Sequence, residues 1–288
     1  MGAVSAHADA PFLDLRSGDG ARARIHLDGA QVASWIPAGS TDDRLFVSAR
    51  ALYGAGKSIR GGIPICFPQF GPYGALPQHG FARTSRWTLV REEQPDEPRP
   101  GEGARATLQL RETEQTRAVW PHAFRADLHV QVHGARLAVT LEVSNTGADA
   151  LSFTAALHPY FRVRDAFATR VRGLGGTRFR DALRDGVLFD ETNEPLPITG
   201  PLDRVYVDAP DVLEIVEPDR TLRIEKIGFP DAVVWNPGPA GTASRVDFAP
   251  GEEQHMLCVE AGAIMQPVAL APGARWSGTQ ILTAVSGP

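Results

Sequence analysis

The chain has 288 residues, a formal net charge of −5, 43% hydrophobic residues and 22% charged ones. This is an ordinary composition for a globular protein, with apolar material for a sizeable core. The acidic balance excludes a general nucleic-acid or anionic-membrane binder, and no apolar run reaches bilayer-spanning length.

Met1 to Asp9 has no basic segment followed by an apolar one, so no signal peptide is expected. Ala6 breaks the myristoylation pattern. The first ten residues or so are expected to be flexible, ahead of one domain that takes up the rest of the chain. Alternation starts at Ala23 to Asp28, and Gly29-Ala30 turns the chain into Gln31 to Ile36.

Two arginines follow in glycine-rich settings: Arg60 in Ser58-Ile-Arg-Gly-Gly-Ile-Pro64, and Arg83 in Gln78-His-Gly-Phe-Ala-Arg83. A guanidinium offers a planar fork of donors that fits a phosphate or carboxylate at two points. Gly61 and Gly62 are expected to let a ligand approach the backbone. The pair suggests a pocket for a small anion. Each arginine could equally pair with a carboxylate of the core loops, and Gln78 and His79 carry the same ambiguity.

Further strands are predicted at Arg86 to Arg91, Ala104 to Arg111, Arg125 to His133 and Arg136 to Val143. Glu92 to Gly103, rich in Pro and Gly, reads as a long exposed hairpin loop. Gly134-Ala135 reads as a tight hairpin turn. His129 and His133 lie four apart, but Leu128, Val130 and Val132 make the segment a strand, so both fall on its polar face. No metal site is expected from them.

In Leu151 to Leu157 alternation puts Phe153, Ala155 and Leu157 on one face and Ser152, Thr154, Ala156 and His158 on the other. That second face is small and polar, as in a cleft floor. Pro159 is expected to end pairing and leave His158 at a rim. There it could carry a proton near neutral pH, or simply bond a backbone group. Gly173 to Gly176 fits neither a dinucleotide-binding nor a P-loop pattern. Asp203 reads by pattern as a surface residue or turn cap before the strand Arg204 to Asp208.

Strands are predicted again at Val212 to Val216, Leu222 to Ile227, Ala232 to Trp235, Met256 to Glu260 and Trp276 to Val285. Asn236 to Gln254 is a second long loop, and such loops are often functional. Glu260 shares a face with Met256 and Cys258. A carboxylate on an apolar face needs a partner or a task, so Glu260 is a catalytic base or one half of an ion pair. Cys66 and Cys258 sit in apolar strings and read as buried free thiols, which fits a reducing cytoplasm. Many short strands, Gly/Pro-rich turns and scarce helical periodicity indicate an all-β protein, a large antiparallel sandwich.

Five segments taken together carry a resemblance. They are Ser58-Ile-Arg-Gly-Gly-Ile-Pro-Ile-Cys-Phe-Pro-Gln-Phe-Gly71, Gln78-His-Gly-Phe-Ala-Arg83, Leu157-His-Pro-Tyr-Phe161, Asp231-Ala-Val-Val-Trp-Asn-Pro237 and Cys258-Val-Glu-Ala-Gly262. In this order they resemble the hexose-6-phosphate mutarotases, the glucose-6-phosphate 1-epimerase branch of the aldose 1-epimerase superfamily. The resemblance implies a galactose-mutarotase-like β-supersandwich, an isomerase that needs no cofactor, and a small sugar phosphate as partner. It also implies His158 as general acid, Glu260 as general base, and Arg60, Gln78, His79, Arg83 and Asp203 as substrate-binding residues. A cytoplasmic monomer is expected.

One departure stands out. Relatives often have an aromatic residue after Trp-Asn-Pro and lysines in the loop beyond. This chain has Gly238, Gly241 and Ala243, with Arg245 as the nearby cation. An extra phosphate contact from that loop is therefore open. Two other readings stand beside the phosphate one: an epimerase of neutral aldoses, and a carbohydrate-binding protein without catalysis on the same fold.

Overall fold

The computed structural model of the chain describes residues 10–95, 97, 99 and 101–286. The stretch expected to be flexible therefore lies outside the described residues except for Ala10. Two large antiparallel sheets dominate. The nine-stranded sheet runs in the order Leu196–Pro197, Arg170–Arg172, Val212–Glu217, Arg220–Ile227, Arg275–Ser286, Arg136–Asn145, Phe124–His133, Ala104–Arg111 and Thr88–Glu93. The eight-stranded sheet runs Val187–Asp190, Arg178–Asp181, Leu202–Tyr206, Asp231–Asn236, Met256–Leu270, Leu151–Leu157 and Ile65–Cys66, with Tyr160–Arg162 paired beside Met256–Leu270. A three-stranded sheet of Phe12–Arg16, Arg22–His26 and Gln31–Ile36 completes the β structure.

The two large sheets share one core. Leu128, Val130, Leu141 and Ile224 of the nine-stranded sheet join Phe153, Leu157, Val234 and Val259 of the eight-stranded sheet in a single buried cluster. Period-two alternation then forces the intervening residues of the eight-stranded sheet onto its other face. That face carries Cys66, Ala156, Val205 and Val233, and with them the polar residues of the site.

Several predicted strands are observed with the predicted bounds, among them Gln31–Ile36, Ala104–Arg111 and Leu151–Leu157. The Gly134-Ala135 hairpin holds, with His133 opposite Arg136. The loop after Glu93 does join an antiparallel pair, Thr88–Glu93 with Ala104–Arg111.

Others move. The strand expected to stop at Glu260 runs on to Leu270, with an irregularity in pairing between Ala263 and Val268. Asp231 makes this possible: its Oδ2 accepts from the amides of Ile264 and Met265, both at 2.8 Å, inside the irregular stretch. The long loop after Asn236 contains a helical turn, Gly238–Ala243, and a 3₁₀ turn, Glu252–His255.

Candidate active site

Strand register assembles the centre of the site. Leu157 pairs with Ala261 and Ala156 with Gly262. Continuing that antiparallel register by one residue puts His158 opposite Glu260, on the face turned away from the core. His158 Nε2 lies 3.2 Å from Glu260 Oε1, and the two side chains are only 8% and 1% exposed. His158 thus sits on a floor, not at the expected rim. Pro159 does not release the chain: the His158 amide donates to the Pro64 carbonyl and the Tyr160 amide to the Gly62 carbonyl, at 3.0 and 2.8 Å.

Aromatic rings hold the imidazole in place. Tyr160 stacks on His158 at 5.0 Å between centroids and 11° between planes. Trp235 meets His158 edge-on at 5.9 Å. Burial pushes the Glu260 carboxyl well above its ordinary range, and the Asp203 charge adds to this. Burial likewise pushes the His158 imidazolium well down, with His79, Arg83 and Arg60 adding to it. Neither charge is stable here alone, so the touching pair shares one proton.

Above this floor is an open pocket of about 190 Å³. All seven predicted site residues line it: His158, Glu260, Arg60, Gln78, His79, Arg83 and Asp203. Asp203 is not the surface residue or turn cap expected from pattern. It stands inside the strand Leu202–Tyr206, opposite Trp235. Burial, then the neighbouring Asp181, raise its carboxyl to about 6.

The three pocket arginines differ in what they have free. Arg60 directs Nε and Nη2 to Asp247 Oδ2 at 3.1 and 3.0 Å, and Nη1 to the Tyr160 hydroxyl at 2.9 Å. This commits about three of its five N–H groups. Arg83 donates from Nη2 to the Gln78 carbonyl at 3.2 Å, and Arg245 from Nη1 to the Gly241 carbonyl at 2.5 Å. Among the described residues neither Arg83 nor Arg245 has an ion-pair partner. Arg245 also lies over the Trp235 ring at 5.7 Å.

Gly61 and Gly62 serve the protein, not a ligand. A Cβ on Gly61 would lie 2.3 Å from the Phe46 carbonyl oxygen, and one on Gly62 would lie 2.4 Å from that of Val32. The expectation that they open the backbone to a ligand is corrected: they let the Arg60 segment press against two neighbouring backbones.

Sequence reading missed two contributors: Asp247 orients Arg60, and Tyr160 joins Arg60 to His158. Arg245, noted in the sequence as the cation of its loop, lines the pocket wall. Asp247 and Arg245 both lie in the Asn236–Gln254 loop singled out for its length, which was the available signal. Cys66 and Cys258 are buried free thiols, as expected. His129 and His133 are exposed and face Thr107 and Asp19. Among the described residues no group of three or more His, Cys, Asp or Glu side chains is placed to hold a metal ion.

The two-sheet β-sandwich that carries this pair is the fold of galactose mutarotase-like proteins. The sequence model of the aldose 1-epimerase family matches residues 11–283, and the chain belongs to that family. It is 38% identical over 276 residues to a Cenchrus ciliaris protein named "Putative glucose-6-phosphate 1-epimerase", covering 94% of this chain and 84% of that one. The crystal structure of a Salmonella typhimurium protein described as a "putative mutarotase" superposes with a TM-score of 0.86 at 30% identity, over 96% of this chain and 90% of that one. A galactose mutarotase related enzyme from Lactobacillus acidophilus shares the fold, with a TM-score of 0.75 at 16% identity over 96% of this chain and 98% of that one.

Proposed function

We propose that the protein interconverts the α and β anomers of a D-hexose 6-phosphate, glucose 6-phosphate foremost, without a cofactor. The carrying observation is the buried His158–Glu260 contact at 3.2 Å beneath a wall that holds Arg83 and Arg245, neither of them in an ion pair among the described residues. The names of the relatives support the same substrate class.

In this reading the sugar displaces the direct contact within the pair. With the pair's single proton passed from Glu260 to His158 as the anionic sugar phosphate enters, the Glu260 carboxylate takes the proton of the anomeric hydroxyl, and His158 gives one to the ring oxygen as the C1–O5 bond breaks. The pair's single proton is conserved: one enters the sugar and one leaves it. The open aldehyde turns about C1–C2 and recloses on its other face, with the two residues exchanging roles. Each group contributes about 10² to 10⁴-fold. Arg83 and Arg245 anchor the phosphate away from C1, with the uncommitted N–H groups of Arg60 as a further donor set. Phosphate binding then orients the reacting carbon. Asp203 and Gln78 serve as hydrogen-bond partners for the ring hydroxyls.

A second reading, epimerisation of neutral aldoses, is favoured by one observation. Arg60 already faces Asp247 at 3.0 Å, so its charge is largely balanced before any ligand arrives. Anomer-exchange NMR of glucose 6-phosphate, glucose and galactose separates the two. Acceleration confined to the phosphorylated sugar supports the proposal. Equal acceleration of the neutral sugars assigns a general aldose epimerase, and binding without acceleration assigns a carbohydrate-binding protein.

A further inference from the structure

His79 stands in a left-handed backbone conformation, φ 64°, in a turn closed by its own amide donating to the Gly71 carbonyl at 3.1 Å. That turn places the imidazole between the pocket and the sheet. On the sheet side, Nδ1 receives the Gly71 amide at 3.3 Å and lies 3.1 Å from Cys66 Sγ. A backbone N–H can only donate, so the Gly71 contact, long for a hydrogen bond, favours a lone pair on Nδ1 and the ring hydrogen on Nε2 without fixing them by itself. The buried Cys66 can then satisfy Nδ1 only by donating its S–H. Burial, opposed slightly by Arg83, holds the thiol in its protonated form, which keeps that donor in place. Nε2 has no partner among the described residues, and the ring lines the pocket.

Neighbouring rings fix the plane without supplying another hydrogen bond. Phe70 meets His79 edge-on at 5.2 Å and His158 does so at 5.6 Å. Burial, then Arg83 and Arg60, lower the His79 imidazolium to about 3. The ring is therefore a neutral donor, distinct from the proton-sharing His158.

We propose that Cys66 is a positioning residue whose thiol locks His79 in the Nε2–H tautomer, so that His79 donates a hydrogen bond to a hydroxyl of the bound sugar. Cys66 acts through His79 and does not touch the substrate. The tautomer lock stands on geometry alone; its consequence for sugar binding rests on the function proposed above.

The test combines long-range ¹H–¹⁵N correlation of the His79 ring with kinetics on glucose 6-phosphate, for wild type, Cys66→Ala and Cys66→Ser. In wild type a single Nε2–H tautomer is expected. In Cys66→Ala only the longer Gly71 contact remains, so the ring should sample both tautomers. KM should rise about 3- to 10-fold, the scale of one neutral hydrogen bond, with kcat held within about two-fold. Cys66→Ser keeps a donor at the same place and should restore the single tautomer and most of the affinity. An Nδ1–H tautomer in wild type would overturn the proposal. So would a Cys66→Ala protein that keeps the pure Nε2–H form, whether its kinetics change or not, because the role of Cys66 would then be packing. If wild type turned over no sugar at all, the ring spectra would still decide the tautomer lock, while the functional reading would fail separately.

Discussion

Tyr160 links the pocket cation to the pocket acid: its hydroxyl accepts from Arg60 Nη1 at 2.9 Å while its ring stacks on His158 at 5.0 Å. Arg60 is in turn held by Asp247. The Asp247 charge on the 236–254 loop is thereby tied, through the Arg60 and Tyr160 side chains, to the orientation of the proton-carrying imidazole.

Asp247→Asn should therefore cost more than an ordinary surface pair. It weakens two charge-assisted hydrogen bonds to a half-buried guanidinium, and a loss of about 1–3 kcal/mol is expected. The exposed Arg24–Asp14 pair, with side chains 45% and 38% accessible, is the control; Asp14→Asn should cost less than about 1 kcal/mol. Chemical denaturation of the two variants measures both. Equal losses would show that Asp247 is no more than a surface carboxylate.

Asp203 makes a prediction about pH. Its carboxyl is raised from 3.8 to about 6 in the folded state, chiefly by burial. The folded protein thus binds this proton more tightly than the unfolded chain does. The associated stability is fully present at low pH and is lost as pH rises through about 6. Asp203→Asn should gain thermal stability relative to wild type across that window and hold the gain above it. The same substitution should raise KM, because the carboxylate faces the pocket. A melting-temperature difference that does not change with pH would contradict the assignment.

Gly61→Ala should be among the most damaging single-methyl additions in the chain. Its φ is +128° and the new Cβ would meet backbone atoms of Phe46 and Val47 at 2.3 and 2.4 Å. Backbone cannot yield as a flexible side chain can. A loss on the order of 3 kcal/mol is expected, read by denaturant titration. A variant of near wild-type stability would mean the Arg60 segment is not pressed against its neighbours as described.

Arg83→Gln and Arg245→Gln each remove a pocket cation that has no ion-pair partner among the described residues. For a phosphorylated sugar each should raise KM about 10- to 100-fold, the worth of charge-assisted hydrogen bonds. Rates on neutral sugars, where measurable, should not move. An effect of Arg83→Gln alone would make the 236–254 loop a bystander in phosphate binding.

Much of this was legible in the sequence for a definite reason. Alternation in Leu151–Leu157 and Met256–Glu260 says which face His158 and Glu260 occupy, since side-chain direction in a strand has period two. The resemblance carried by five short motifs implied the candidate site residues, Asp203 outside those motifs among them, and all of them line one pocket. Alternation says nothing of register, so the 3.2 Å approach of His158 to Glu260 could not be read. Nor could the run of that strand beyond Glu260, because the carboxylate that holds its irregular stretch, Asp231, is some thirty residues away. Asp247 and Cys66 were invisible as actors for the same reason: their partners, Arg60 and His79, are brought to them by the fold. Pro159 was misread because its neighbours' amides find carbonyls in the Gly62–Pro64 segment, a pairing no local rule reveals.

The most direct test of the central claim is the anomer-exchange rate of glucose 6-phosphate with wild type and with Glu260→Gln, read by two-dimensional exchange NMR. Fast exchange is expected in wild type and a fall of about 10² to 10⁴-fold in the variant, with the sugar phosphate still bound. A variant that exchanged anomers at the wild-type rate would contradict the claim, because the His158–Glu260 pair would then not be the group that moves the proton.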